Sequence, residues 1–272
     1  MAHPQIAVFA RLADKNAKPV RKIEGQKSLL GRTMHGLSYD EIHDEFTVTQ
    51  EFSQAILTFA GGADGEVAPL RVIQGSLTRL EAPDRVVVDP VNNEIFVPEG
   101  DRVLVWDRMA NGNVAPKRVL EGPKAGRIMD ALAVDTVNNL LIVGAGGSGG
   151  NRASGETRFL IFDRTASGDT APKYVVRGPR ALGGPFAIYP QKKLIFATNR
   201  PYNESVAGAD VSYLGVWSYE KPSEGEPLYT IGGPNGVFEM PRGVTLDVKN
   251  KSVIASDKHL NSVLTFRVPE LF

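Results

Sequence analysis

The sequence has 272 residues, which is enough for one large domain or two small ones with a substantial core. Lys+Arg and Asp+Glu both number 31, so the formal net charge is zero. Overall charge therefore gives no support for binding to nucleic acid or to a membrane surface. The chain has no cysteine, which excludes disulfides, thiolate nucleophiles and cysteine metal sites.

No apolar run approaches the roughly 20 residues that a membrane-spanning helix needs. The N-terminus "MAHPQIAVFAR" lacks the basic-then-apolar pattern of a signal peptide. We therefore expect a soluble protein without membrane insertion. It would be cytoplasmic if Met1 is native, and periplasmic or extracellular if a signal peptide was removed.

Two kinds of segment alternate along the chain. The first kind, in chain order, is IAVFARLADKNAKPVRKIEG (6–25), AILTFAGGADGEVAPLRVIQG (55–75), VLVWDRMANGNVAPKRVLEGP (103–123), FLIFDRTASGDTAPKYVVRGP (159–179) and LGVWSYEKPSEGEPLYTIGG (214–233). The second kind is GLSYDEIHDEFTV (36–48), RVVVDPVNNEIFV (85–97), ALAVDTVNNLLIV (131–143), FAIYPQKKLIFA (186–197) and GVTLDVKNKSVIA (243–255).

Each repeat predicts four short strands, A to D. Strand A is apolar and ends in Asp or Tyr, and a turn rich in Asn and Lys leads to strand B. Strand C ends in an aromatic residue, and a Gly/Asn turn with Ala-Pro leads to the half-polar strand D. Four-stranded units that recur every 46–58 residues are typical of a β-propeller.

The predicted fold is thus an all-β propeller, a single domain over 1–272. Five A strands predict five four-stranded blades, closed by pairing of the N- and C-terminal strands. Six C-type strands are present for five A strands, so six blades with one partial blade is the alternative.

Segments such as GVTLDVKNKSVIASDKHLNSVLTF and RVVVDPVNNEIFVPEGDRVLVWDR resemble NHL-type repeats, and the resemblance covers nearly the whole chain. Propellers of this type include protein- and RNA-binding modules, lyases and relatives of the lactonases. The resemblance therefore implies the fold and leaves the function open.

One column of the repeat lies just before strand A, on the side that propellers use for their D-to-A and B-to-C connections. It contains His35, Asp84, Asp130, Gly184 and Arg242, and we expect the polar members to contribute to ligand binding. Arg242 among carboxylates suits an ion pair or an anion clamp.

A second column ends strand B and contains Gln50, Glu99, Ala145, Asn199 and Asp257. Oxygen donors such as Glu99, Asn199 and Asp257 suit a hard cation such as Ca²⁺. This set is similar to the central site of gluconolactonase-type propellers, although Ala145, Gly184 and Arg242 break the ring. The alternative is that these residues are polar only because the loop openings of any propeller are exposed to solvent.

The long B-to-C loops 144–158 and 199–213 fall on the same side. Loops that outgrow a regular scaffold often carry function, and Arg200 and Tyr202 in the second loop have suitable binding chemistry.

The histidines do not form one site. His43 falls in the A-to-B turn, at the other end of the strand from His35. A strand rises about 3.3 Å per residue, so the two cannot share a metal ion. His259 lies in the last B-to-C loop and His3 at the terminus, where we expect structural or solvent-exposed roles.

Two functions follow as hypotheses. The first is a non-catalytic binding or scaffold propeller that holds a protein, glycan or small ligand on the face with the long loops, alone or as a subunit of a larger assembly. The alternative is a metal-dependent hydrolase or lyase of the gluconolactonase or virginiamycin B lyase type, with His35 as the candidate catalytic residue.

Overall fold

The computed structural model describes residues 4–32, 34–146, 157–179, 184–199 and 212–272, without the side chains of 129 and 130. Nearly all regular structure is β, with short 3₁₀ turns at Gln26–Ser28, Ser76–Thr78, Pro190–Lys192 and Pro269–Leu271. No helix among these residues is long and apolar enough to cross a membrane. The all-β prediction is confirmed.

Five consecutive antiparallel sheets form the blades of a β-propeller. The first blade contains β3 (Leu37–Asp40), β4 (Glu45–Gln50), β5 (Ala55–Ala60) and β6 (Arg71–Gln74). The second contains β7 (Val87–Asp89), β8 (Glu94–Glu99), β9 (Arg102–Asp107) and β10 (Arg118–Glu121). The third contains β11 (Ile128–Asp135), β12 (Leu140–Ala145), β13 (Arg158–Asp163) and β14 (Tyr174–Arg177).

The fourth blade contains β15 (Ala187–Tyr189), β16 (Leu194–Asn199), β17 (Tyr213–Ser218) and β18 (Tyr229–Gly232). The fifth has only three strands, β19 (Pro241–Asp247), β20 (Ser252–Asp257) and β21 (Ser262–Arg267). These correspond to the predicted strands A, B and C. Five blades are therefore present, four of them with the predicted four strands.

The predicted pairing of N-terminal with C-terminal strands stays a prediction. β1 (Gln5–Val8) and β2 (Arg21–Glu24) form a separate two-stranded sheet in the described part of the chain. β1 and β2 correspond to a predicted C–D pair joined by its own turn, and they pair antiparallel along one edge of each strand. The register aligns Gln5 with Glu24 and Val8 with Arg21.

The chain divides into two compact units, and the prediction of a single domain stays a prediction. Unit 1 comprises Met1–Glu99 and Val103–Val119, and unit 2 comprises Gly100–Arg102 and Leu120–Phe272. In unit 1, Ile56 and Ile73 pack with Trp106 of the next blade. In unit 2, Phe159, Phe186 and Trp217 share one cluster of buried side chains, with Phe159 and Phe186 in edge contact. Each cluster unites side chains from successive sheets, as face-to-face packing of blades requires.

Candidate functional site

His35 and Asp84, two members of the first polar column, are in direct contact. Nδ1 of His35 lies 2.5 Å from Oδ1 of Asp84 and 3.7 Å from Oε2 of Glu51. The Arg85 side chain donates a 2.5 Å hydrogen bond to the carbonyl of His35. The His35 side chain is 49% exposed, so this cluster lies at the surface of unit 1. The sequence placed His35 and Asp84 in equivalent positions of successive blades, and the structure pairs them.

A glycine and a threonine bring the two blades together at this point. Gly36 donates its N–H to Oγ1 of Thr49 (3.1 Å), and Thr49 donates to the carbonyl of Asp84 (2.9 Å). A Cβ on Gly36 would lie 2.8 Å from both Asp84 O and Arg85 Cα. The side chain is absent at position 36 because the neighbouring backbone occupies that space.

The hydrogen bond from threonine to the carbonyl of the next blade recurs in unit 2. Thr198 donates to the carbonyl of Arg242 at 3.0 Å. A Cβ on Gly184 would lie only 2.4 Å from that carbonyl oxygen. Gly184, which interrupts the polar column, is therefore explained by close packing against the next blade.

Several predicted residues lie outside the described parts of the chain. They are Arg200, Tyr202 and most of both long loops (147–156 and 200–211), together with the side chain of Asp130. Their roles in ligand binding stay predictions.

Three members of the second polar column, Gln50, Glu99 and Asp257, hydrogen-bond to backbone groups of their own blades. Gln50 accepts from Gly31 N–H and donates to Leu29 O, both at 2.8 Å. Glu99 Oε1 accepts from Ala82 N–H at 2.9 Å. These side chains are buried, and each holds the connection that leads into strand A of the same blade.

Asp257 also binds backbone N–H groups, and it does so through both carboxylate oxygens. Its Oδ2 accepts from the N–H groups of Glu239 and Met240, both at 2.9 Å, and its Oδ1 accepts from those of His259 (3.0 Å) and Leu260 (3.1 Å). A carboxylate has about four lone-pair sites, and here all are used. These four hydrogen bonds occupy the Asp257 oxygens, so the carboxylate does not suit an additional cation.

No group of three or more His, Asp or Glu residues in the described ranges could hold a metal ion. The Ca²⁺ ion at Glu99, Asn199 and Asp257 stays a prediction. Burial and backbone hydrogen bonds provide another reason for polar residues at the end of strand B. Gln50, Glu99 and Asp257 each accept from backbone N–H groups that would otherwise be unsatisfied.

His43 has the structural role expected of it. Its Nδ1 lies 2.8 Å from Oδ2 of Asp40, while Oδ1 of Asp40 accepts the backbone N–H of His43 at 2.9 Å. Asn92 and Asp89 form the equivalent pair in the second blade. The positive φ of this turn belongs to the following residue, Asp44 at 51°. The side chain at position 43 therefore serves as a hydrogen-bond donor to Asp40.

Sequence reasoning missed the turn between β4 and β5, which follows directly on Gln50. Glu51 approaches His35, and the next residue, Phe52, is 80% exposed. Gln54 donates to Glu81 O (3.0 Å) and Gln74 donates to Ser53 O (2.7 Å), which ties the turn to its surroundings. The signal in the sequence was an aromatic residue inside a polar turn, "QEFSQ".

An apolar cleft lies elsewhere in unit 1, between the β1–β2 sheet and the first blade. Its volume is about 590 Å³, and its lining includes Phe9, Leu37, Tyr39 and Arg21. Tyr39 donates to Asp44 at 2.8 Å, and this hydrogen bond raises the pKa of the phenol. The cleft is separate from both polar columns.

Comparisons with known proteins agree with the propeller fold. No family model matches the sequence, and no curated protein matches it. A chain in a solved structure, "Crystal Structure of Mitotic Checkpoint Complex", is similar over 92% of this chain with a TM-score of 0.59 and 15% sequence identity. This chain spans 65% of the length of that one. Similarity at this identity shows the class of fold, a β-propeller.

Proposed function

We propose that this propeller is a non-catalytic binding module that holds a protein partner on the surface of unit 1. The contact surface consists of His35, Glu51, Phe52, Asp84 and Arg85, named here the His35 patch. The observation that carries the proposal is Phe52, a phenyl ring 80% exposed on a turn that hydrogen bonds hold in place.

Exposed aromatic side chains on fixed backbone are favourable anchors for protein partners. A phenyl ring contributes a large apolar area, and a fixed turn loses little conformational entropy on binding. The His35–Asp84 pair and Glu51 supply polar groups beside it, as in an interface with an apolar centre and a polar rim. The complementary partner would present an apolar pocket surrounded by hydrogen-bonding groups.

Two likenesses support a binding role. The solved chain of similar fold belongs to a complex, the Mitotic Checkpoint Complex, as its title states. The NHL-type character of the repeats, which stays a prediction, also implies a fold that includes binding modules. A protein is favoured over a glycan or small ligand because the patch is a projecting surface and its central residue is apolar.

Affinity capture with matched variants tests the proposal. Immobilised parent protein, Phe52→Ser and Val91→Ser would be exposed to the same extract, and retained proteins quantified by mass spectrometry. Val91 is the control because it is also an exposed apolar turn residue of unit 1, 58% accessible, in an A-to-B turn. We expect one partner retained by the parent and by Val91→Ser and lost by Phe52→Ser. Equal retention by all three would reject the His35 patch.

The enzyme alternative has one specific observation in its favour. A carboxylate on Nδ1 of His35 orients the imidazole and leaves Nε2 to exchange protons, as a general base requires. Turnover of lactone substrates by the parent and its loss in His35→Gln, with Phe52→Ser fully active, would favour a hydrolase or lyase over a binding module.

A further inference from the structure

The N-terminal sheet corresponds to the outer half of a blade. β1 matches strand C of the repeat and β2 matches strand D, and the two pair along one edge of each strand. Within the described part of unit 1, the other edge of β1 has no neighbouring strand. In the first and second blades, that edge of strand C pairs with strand B. The space beside β1 is therefore the position of strand B.

The length of β1 agrees with an empty strand B position. In the first blade, β5 pairs with strand D over Ala55–Thr58 and with strand B over Ala55–Ala60. β1 has only four residues, and all four pair with β2. Phe9 and Ala10 hold the last two positions of strand C, which in the first blade pair with strand B alone.

The unpaired edge of β1 presents the backbone groups of Ala7. Lys22, its partner on β2, uses its carbonyl on the outer edge of the sheet, where it accepts from Gly65 N–H at 2.8 Å. Paired residues of antiparallel strands either exchange both backbone hydrogen bonds or direct them away from each other. Ala7 therefore directs its N–H and its carbonyl to the edge that lacks a strand.

The apolar cleft of unit 1 lies at this edge. Ala7 and its neighbours on β1 line it, together with Leu37 and Tyr39 on strand A of the first blade. Leu37 and Tyr39 are each 55% exposed. The equivalent residues of the second blade, Val86 and Val88, are 4% and 7% exposed, because the first blade covers them. Leu37 and Tyr39 lack the cover that a strand B beside β1 would supply.

The first residue of strand D forms an ion pair with the first residue of strand B in two blades. In the first blade, the Arg71 guanidinium binds both carboxylate oxygens of Glu45. In the second blade, Arg118 binds both oxygens of Glu94, at 2.6 and 2.9 Å. Arg21 is the first residue of β2 and so holds the same position in the N-terminal sheet.

Arg21 has no such carboxylate. It lines the cleft, and its Nη2 donates to the carbonyl of Gly61 at 2.9 Å. No acidic residue in the described part of unit 1 forms an ion pair with it. Asp44, which also lines the cleft, accepts from the hydroxyl of Tyr39 at 2.8 Å instead. A guanidinium binds a carboxylate best through two parallel hydrogen bonds, so the absent strand should begin with an acidic residue.

Other strands B indicate which side chain would cover the cleft. The residue opposite the fourth residue of strand C is β-branched or aromatic in four blades: Thr47, Ile142, Phe196 and Ile254. The fourth residue of β1 is Val8, which lines the cleft. Cross-strand partners lie on the same face of a sheet, so the third residue of the added strand would also face the cleft.

The described strands of this chain do not supply the segment. β4 and β8 are the described strands that begin with an acidic residue, and each already pairs on both edges. The same two strands are engaged in a second copy of the chain. The required sequence therefore points to a different protein.

We propose that the cleft receives an extended segment of a partner protein, which adds to β1 as an antiparallel strand in the position of strand B. Its first residue is acidic and forms a two-point ion pair with Arg21. Its third residue lies opposite Val8 and is β-branched or aromatic, so that it covers Leu37 and Tyr39. Backbone pairing supplies affinity and these side chains supply selectivity. The site is distinct from the His35 patch and does not depend on the proposed function.

Fluorescence anisotropy with a labelled peptide tests the proposal on the full chain. The probe is an acetylated synthetic peptide with the sequence of residues 45–51, EFTVTQE, which contains strand B of the first blade. The parent should bind it saturably. Arg21→Glu should weaken binding at least about tenfold through loss of the charge-assisted contact. Phe52→Ser, outside the cleft, should bind as the parent does.

Charge reversal gives the decisive result. A second peptide carries Glu45→Arg and should bind the parent at least about tenfold more weakly than the first peptide does. It should bind Arg21→Glu nearly as well as the first peptide binds the parent. Such a rescue requires a folded variant, so unfolding cannot mimic it.

A backbone variant tests the pairing with β1. Ala7→Pro removes an N–H from an edge strand, where proline is tolerated, and should abolish binding of the first peptide. Ala7→Ser keeps the N–H and should bind as the parent does. Binding that survives Ala7→Pro would overturn the proposal, as would equal affinity of the parent for both peptides. A parent that binds neither peptide also overturns it, which is the result expected if a C-terminal strand of the same chain pairs with β1.

Discussion

The phenolic hydroxyl of Tyr219 donates a 2.7 Å hydrogen bond to Oδ2 of Asp135, and both residues are fully buried. Asp135 ends β11 and Tyr219 follows β17, so the bond links two blades of unit 2. Burial and this hydrogen bond raise the pKa of Tyr219 far above its usual range. The phenol of Tyr219 therefore stays protonated and donates to Asp135, the last residue of β11.

Replacement of Tyr219 by Phe should lower the free energy of unfolding by about 2 kcal/mol, because a buried hydrogen bond to a charged acceptor is lost. Tyr174→Phe is the matched control: its hydroxyl donates to the neutral carbonyl of Tyr219 at 2.7 Å, and its loss should cost about 1 kcal/mol. Urea unfolding of both variants measures the difference. A cost for Tyr219→Phe no greater than that for Tyr174→Phe would contradict the special role of Asp135.

Glu94 should make stability depend on pH in the acid range. Burial alone would raise the pKa of its carboxyl, but hydrogen bonds from Arg118 and Lys117 outweigh burial and lower the pKa from 4.5 to about 2. A depressed pKa in the folded state stabilises the protein above the unfolded pKa. That stabilisation declines as the pH falls from 4.5 towards 2.

Glu94→Gln provides the test of this dependence. The difference in free energy of unfolding between parent and variant should be largest near neutral pH and shrink below pH 4.5. Chemical denaturation at a series of pH values measures it. Two curves that stay parallel down to pH 2 would be inconsistent with the ion-paired carboxylate.

Gly36→Ala should destabilise unit 1 by about 1–3 kcal/mol, the usual cost of overpacking. Its Cβ would meet backbone atoms of Asp84 and Arg85 at 2.8 Å, and these cannot rotate away. Gly62→Ala is the control, because a Cβ there would meet nothing within 4 Å. Thermal unfolding of the two alanine variants should separate them clearly, whereas equal melting temperatures would argue against close packing at Gly36.

His43→Asn should leave stability within about 0.5 kcal/mol of the parent, because the amide can donate to Asp40 as Asn92 donates to Asp89 at 2.8 Å. His43→Ala lacks that donor and should cost about 1 kcal/mol. Comparison of their urea midpoints tests the assignment. If the two substitutions cost the same, the side chain at position 43 does not act as a donor.

Asp257 should behave as an anchor of backbone groups. Asp257→Asn leaves at least one N–H without an acceptor and should cost about 2 kcal/mol, while EDTA should leave the melting temperature of the parent unchanged. Scanning calorimetry with and without chelator checks both. A fall in melting temperature with EDTA, absent from Glu99→Ala/Asp257→Ala, would instead support a bound calcium ion.

The sequence predicted correctly the features that a single repeat determines within its own blade. Apolar strands, turn residues such as Asn93 and Asp44 at positive φ, and aspartates such as Asp40 and Asp89 recur at fixed spacing. Five blades, the strand order within them and the turn position of His43 follow from that local pattern. Repetition supports these predictions because each blade repeats the same local interactions.

Contacts between blades required the tertiary structure. His35 and Asp84 occupy the same position of two repeats, 49 residues apart, and a repeat alignment cannot show that equivalent residues touch. The small space at Gly36 and the exposure of Phe52 depend likewise on where a neighbouring backbone lies. Sequence therefore determined the blades, through local periodicity, and tertiary structure decided the surfaces, since hydrogen bonding and close packing between blades select among equivalent positions.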